Sequence, residues 1–146
     1  TNFKANLDAV FLTTKTVLPW MQDAKKGAIV NVASVVGLKG VAYMSAYGAA
    51  KAGLINFTRA TAVEAAPHVR VNCIIPGAVL TPATKRAIPD DKLMEATINT
   101  IPLKRIAKPI ELAKPITFLL SSDASFITGA SLVVDGGKTA DLNAGN

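Results

Sequence analysis

Ala28-Ile29-Val30-Asn31-Val32-Ala33, bounded by Gly27 and Gly37, is short, apolar and β-branched, the composition of a strand buried on both faces of a parallel sheet. Working outward, Phe3, Leu7, Val10, Phe11, Val17, Leu18 and Met21 recur at helical spacing before it, so residues 3–25 are predicted as a helix that stops at Gly27. After it, Ser45 is expected to cap a helix over 46–66, ended by Pro67, with Tyr47, Lys51, Leu54 and Thr58 along one side. A second apolar strand, 69–75, stops at Pro76-Gly77. The stretch beyond it is rich in Thr, Pro and Ala, reaches a weak helix near 90–100, and reads as a mobile flap. Pro109, with Glu111 in the first turn, opens a helix to about 120, where Pro115 removes one backbone donor and is expected to cause a kink. A third strand, 131–134, ends in Asp135-Gly136-Gly137, and the small, polar tail from Lys138 to Asn146 is expected to be loosely held unless it docks. Helices alternating with three short apolar strands predict an α/β fold, a doubly wound parallel sheet joined by right-handed crossovers.

Composition narrows the function. The 146 residues, 50% of them hydrophobic, suffice for one globular unit with a buried core. No apolar run approaches the roughly 20 residues that span a bilayer, and Thr1-Asn2-Phe3-Lys4 carries no charged-then-apolar leader. Neither a membrane nor secretion is expected, and the cytoplasm is the default. The single Cys73 lies in the apolar run Val71 to Ile75 and reads as a small core residue without a redox role. The net charge of +6 is scattered over Lys25-Lys26, Lys85-Arg86 and Lys104-Arg105 without interleaved aromatics, so these pairs are solvated surface and no nucleic-acid partner is expected. The lone His68 has no neighbours at ligand spacing, so no metal site is expected.

The candidate chemistry lies in the first turns of the 46–66 helix. Tyr47 and Lys51 are four apart and project from one face, which lets the ammonium approach the phenol. That spacing alone also describes an aromatic ring packed on a lysine stem. Ser34 changes the balance. It stands at the carboxyl end of the first strand, where open parallel sheets bind their ligands, and one crossover brings it to Tyr47 and Lys51. A nearby cation favours the phenolate, so such a tyrosine can act as general acid and base. Tyr43 has no lysine four residues on and serves as a contrast.

The run Ile29-Val30-Asn31-Val32-Ala33-Ser34-Val35-Val36-Gly37, followed by Tyr47-Gly48-Ala49-Ala50-Lys51, resembles the active-site segment of short-chain dehydrogenases/reductases. Asn72-Cys73-Ile74-Ile75-Pro76-Gly77-Ala78-Val79-Leu80-Thr81 is similar to the family's N-x-x-x-PG-x-x-x-T segment. Gly129 and Val134-Asp135-Gly136-Gly137 extend the likeness to the end, and Ala5-Asn6-Leu7 to the front. The resemblance implies a Rossmann-like fold and an NAD- or NADP-dependent oxidoreductase acting on a small-molecule carbonyl or secondary alcohol. Tyr47 would be proton donor and acceptor, and Ser34 would bind the substrate oxygen beside it. Lys51 would hold the nicotinamide ribose, and Asn6 would position a water that links Lys51 to solvent. Pro76 and Gly77 would let backbone approach the nicotinamide ring, with Val79 and Thr81 contacting its carboxamide. Family habit implies a homotetramer or dimer.

Nothing in the chain matches the family's TGxxxGxG phosphate loop. Residues 1–146 are therefore expected to be a single, incomplete Rossmann-type domain: the C-terminal catalytic and substrate-binding part, about three strands with flanking helices, with the N-terminal dinucleotide-binding part absent. Two alternatives stand beside the reductase: a non-catalytic binding or assembly fragment, and an epimerase or dehydratase, which share YxxxK. The Val134-Asp135-Gly136-Gly137 ending favours the simple reductases. Leu80, Ala83, Ile88, Leu93 and Met94 hint at a hydrophobic substrate.

Overall fold

Three strands pair in parallel in the order β1-β2-β3: β1 (Gly27–Val32), β2 (Val69–Pro76) and β3 (Ser131–Val134). The computed structural model describes residues 1–142. Register runs from Gly27↔Val69 to Val32↔Ile74 on one side of β2, and from Cys73↔Ser131 to Pro76↔Val134 on the other. Parallel neighbours require crossovers, and helices supply them. Helix α1 (Ala9–Asp23) leads into β1, α2 (Ser45–Ala65) joins β1 to β2, and α3 (Pro82–Ala87), α4 (Asp91–Asn99) and α5 (Pro109–Leu120) lie between β2 and β3.

The period of two along β2 sorts its side chains to two covered faces. Cys73 and Ile75 pack with Ala33, Leu54 and Ile55, while Val69 and Val71 pack with Ala62 and Ala65, so this face meets α2. Asn72 and Ile74, both 0% exposed, point to the other face, where Asn72 Nδ2 donates to the Ile127 carbonyl at 2.8 Å. Arg70 donates to the carbonyls of Leu119 (2.7 Å) and Ser121 (2.8 Å), which fastens the carboxyl end of α5 to β2. With helices on both faces, the doubly wound α/β expectation holds. Among the described residues β1 pairs on one edge only.

The predicted elements differ from the observed ones in four places. Residues 4–8 form a π-helical segment, because the Asn6 side-chain amide takes the Asn2 carbonyl at 3.0 Å, the acceptor that an α-helical backbone would use. The Ser45 side chain does not cap α2. The chain enters from Tyr43, whose φ is +64°, through a turn closed by Met44 N–H to Val41 carbonyl, so the helix starts at Ser45 with Met44 as its N-cap residue. The supposed flap contains an additional helix, α3, with Thr81 accepting from Thr84 N–H and Pro82 in its first turn. The tail docks in part: Lys138 Nζ donates to Thr100 Oγ1, and Asp135 accepts from the Thr139 hydroxyl and N–H, while the last residues of that tail, 143–146, lie outside the described residues. Burial pushes the Asp135 carboxyl up, but those hydrogen bonds and the one from Gly137 N–H outweigh it and hold it below its ordinary value.

Candidate active site at the strand tips

Ser34 follows the tip of β1 in extended backbone, with φ −166° and ψ 153°. Its hydroxyl oxygen accepts from Val36 N–H at 3.3 Å and so starts a short 3₁₀ turn over Val35–Gly37. The oxygen is thereby oriented while its own proton stays available. The turn closes against α2 because residue 37 is glycine. A Cβ there would stand 2.8 Å from the Lys51 carbonyl carbon and 2.9 Å from the Ala52 nitrogen. Gly48 makes the reciprocal approach, since a Cβ on it would lie 3.0 Å from the Val36 carbonyl oxygen. Two glycines thus bring the turn after Ser34 onto the helical turn between Tyr47 and Lys51.

Lys51 is 9% exposed, and its Nζ donates to the Val32 carbonyl at 2.9 Å. It sits over the half-buried Tyr47 ring, 5.7 Å from the centroid. Burial lowers the Lys51 pKa from its ordinary value, opposed in part by the charge Cys73 can carry. Cys73 is fully buried and its thiol is pushed up by desolvation, against hydrogen bonds from Ala33 and Thr58 and the nearby Lys51 and Arg59 charges. An ammonium has three donors. One is taken by the Val32 carbonyl, and two remain. Behind it, Asn31 Nδ2 donates to Thr58 Oγ1 at 2.9 Å, and Thr58 donates to the Leu54 carbonyl at 2.9 Å, a buried tie between β1 and α2. The sequence signal for that tie is an asparagine inside an apolar strand.

The other expected residues fall into two groups. Asn6 lies in the π-helical segment, and Leu7 beside it rests on Gly53, where a Cβ would come 3.2 Å from Leu Cδ2. Pro76 ends β2 opposite Val134, and Gly77 N–H donates to the Val134 carbonyl at 3.0 Å. Gly77 is required by packing as well, because a Cβ would meet Asp135 Cβ at 2.8 Å. Val79 pairs with Ala107 in an isolated parallel bridge, and its carbonyl accepts the Thr84 hydroxyl at 2.6 Å. Thr81 accepts from Thr84 N–H at 3.2 Å as the cap of α3, which leaves its proton for a further acceptor or for Thr84 Oγ1 at 3.1 Å. A buried cation at the tip of β1 and a hydroxyl donor beyond the end of β2 are groups of the kind that could hold ribose and carboxamide. Sequence reasoning missed Thr84, Asn72 and Arg70. Asn72 stands in the quoted N-x-x-x-PG segment, and its carbonyl oxygen also accepts from Ala130 N–H at 3.0 Å.

Among the described residues there is no group of His, Cys, Asp and Glu able to hold a metal ion, and no helix is long and apolar enough to cross a membrane. Residues 1–139 match the protein family described as enoyl-(acyl carrier protein) reductase. The chain is 42% identical over 140 residues to a cyclopentanol dehydrogenase of Comamonas sp. (strain NCIMB 9872), covering 95% of this chain and 56% of that protein. A solved short-chain dehydrogenase/reductase family protein superposes with TM-score 0.88 at 36% identity, over 95% of this chain and 57% of that one. ElxO, solved with NADP bound, superposes with TM-score 0.83 at 32% identity, over 90% of this chain and 54% of that one. The chain spans about half the length of the curated relatives it matches. By fold and by the family match over nearly its whole length, the chain belongs to the short-chain dehydrogenase/reductase family.

Proposed function

We propose that this protein is an oxidoreductase that moves a hydride between NAD or NADP and a carbonyl or secondary-alcohol substrate, with Tyr47 as proton donor and acceptor. One observation carries the reading: Lys51 is held at the tip of β1 by the Val32 carbonyl with its ammonium over the Tyr47 ring. The cofactor, when bound, supplies or accepts the hydride. This chain's residues handle the proton and the charge. As a ketone becomes an alkoxide, the Ser34 proton binds the developing charge and Tyr47 delivers its own proton to the same oxygen. The Lys51 ammonium, 5.7 Å from the centroid of the Tyr47 ring, is the cation beside the oxygen that gives up this proton. The pKa of Lys51, already lowered by burial, makes it readier to pass a proton onward. Asn2 takes one amide proton of Asn6, and the second holds the water that links Lys51 to solvent. Pro76, Gly77, Val79 and Thr81 would meet the nicotinamide when it is bound.

Leu80 and Leu93, 41% and 50% exposed, give the segment beyond β2 an apolar surface suited to a hydrophobic substrate. The fully buried Cys73 suits a reducing cytoplasm. An assembly role accompanies the catalytic one. Phe11, Leu12 and Trp20 on α1 are 46%, 58% and 69% exposed, and Leu7, Phe11, Gly53 and Phe57 line a groove of about 700 Å³ between α1 and α2. A homodimer or homotetramer packed through these helices buries that face. The test is turnover by the complete protein on a panel of secondary alcohols and ketones with each nicotinamide cofactor. Cofactor-dependent oxidation or reduction supports the reading. A stable oligomer that neither binds nor turns over either cofactor leaves only the assembly role.

A further inference from the structure

The segment that carries Val79 and Thr81 leaves the sheet at Gly77 and is bonded back to the fold through the backbone of Ala107. Leu80 N–H donates to the Ala107 carbonyl at 2.8 Å, and Ala107 N–H donates to the Ala78 carbonyl at 3.1 Å. Ala107 in turn belongs to a largely exposed connection, anchored upstream where Leu103 N–H donates to the Gly136 carbonyl at 3.1 Å. Between these two anchors stands Arg105. Its guanidinium forks onto Glu111 of α5 with two bonds, Nη1 to Oε2 at 2.7 Å and Nη2 to Oε1 at 2.6 Å. Glu111 Oε2 also accepts from Lys108 N–H at 2.8 Å, which ties the residue after Ala107 to the same carboxylate. The fork closes over a cavity of about 80 Å³ lined by Ala78, Ile101, Leu103, Ala107 and Val134. Two parallel charge-assisted bonds fix orientation as well as distance.

We infer that Arg105 and Glu111 are a positioning pair: their fork holds Ala107 in register with Ala78 and Leu80, and through that bridge sets the backbone that receives the nicotinamide carboxamide. The inference rests on the oxidoreductase reading above. The pair is thereby assigned to binding geometry, and the chemical step is left to Tyr47. An exposed ion pair with a merely structural role contributes little to stability and has no reason to alter cofactor affinity.

The experiment compares Arg105→Gln, Glu111→Gln and the conservative Arg105→Lys in the complete protein, with NADH or NADPH as probe, whichever the wild type turns over. The Gln variants should raise the KM for that cofactor at least fivefold while kcat falls less than threefold. Amide exchange at Leu80 and Ala107 should quicken at least tenfold, and Arg105→Lys, which keeps the charge but not the fork, should recover only part of either effect. Unchanged exchange at those amides overturns the proposal, and so does faster exchange with cofactor KM within twofold of wild type. A wild-type protein without cofactor-dependent turnover refutes the oxidoreductase reading itself, whereas normal wild-type turnover with unaffected Gln variants refutes the positioning role alone.

Discussion

Replacing Gly37 with alanine should damage stability and turnover together, and Gly40→Ala, three residues on, should do neither. At position 37 the new methyl would stand 2.8 Å from the Lys51 carbonyl carbon, 2.9 Å from the Ala52 nitrogen and 3.1 Å from Lys51 Cβ. Comfortable carbon contacts begin near about 3.5 Å, so the 3₁₀ turn and α2 must part by roughly 0.7 Å. Backbone on both sides resists that shift, and overpacking of this kind costs about 1–3 kcal/mol. At about 3 °C per kcal/mol the melting temperature should fall by roughly 3–9 °C. The same displacement stretches the 2.9 Å bond from Lys51 Nζ to the Val32 carbonyl toward the limit of a hydrogen bond. Misplacement on the ångström scale costs up to about a hundredfold in rate, so kcat should drop at least tenfold. At Gly40 an added Cβ meets nothing within 4 Å, and alanine there should be neutral or stabilise by up to about 1 kcal/mol. Thermal melts and steady-state kinetics on the same preparations decide the matter. A Gly37→Ala protein that melts and turns over like Gly40→Ala would refute the claim that this close approach sets the site.

Asn72→Leu should cost about 1–3 kcal/mol in denaturant unfolding, because it removes the partner of two partly buried backbone groups, the Ile127 carbonyl and the Ala130 N–H; a loss below about 0.5 kcal/mol would disprove their role as the anchor of the segment before β3. The Arg105 guanidinium beside it, with Lys108 N–H, holds the Glu111 carboxyl at about 2 against an ordinary 4.5. A depressed carboxyl pKa contributes stability above the unfolded value that is lost as pH falls toward the folded one, so stability should decline from about pH 4.5 to about 2, less steeply in Glu111→Gln and in high salt. Acid titration of the melting temperature checks this, and identical slopes for both proteins would contradict it.

The fold and the candidate set Ser34, Tyr47 and Lys51 can be read from the sequence because local patterns carry them. The β-branched run before Ser34 and the four-residue step from Tyr47 to Lys51 need only strand and helix geometry to be read. What escaped depends on contacts distant along the chain. Arg70 looks like a surface cation until its guanidinium meets the end of α5, and Asn72 looks like a polar interruption until it meets Ile127. The Arg105–Glu111 fork joins residues six apart across a loop whose path no periodicity describes. Helix α3 was closer to hand, since Thr81-Pro82 is a cap followed by a first-turn proline. Its shortness and the small residues around it hid that signal. At Asn6 the periodic apolar pattern was right about helical structure, but a side-chain amide competing for the Asn2 carbonyl turned its first turn into a π-helix.

The most direct measurement is the turnover of Tyr47→Phe in the complete protein, beside the wild type and with cofactor affinity measured in parallel. Removing one hydroxyl from a ring held beneath Lys51 should lower kcat by about a hundredfold to ten-thousandfold, the range expected of a lost general acid, while cofactor affinity stays within a few-fold. Turnover by Tyr47→Phe equal to that of the wild type would contradict the account.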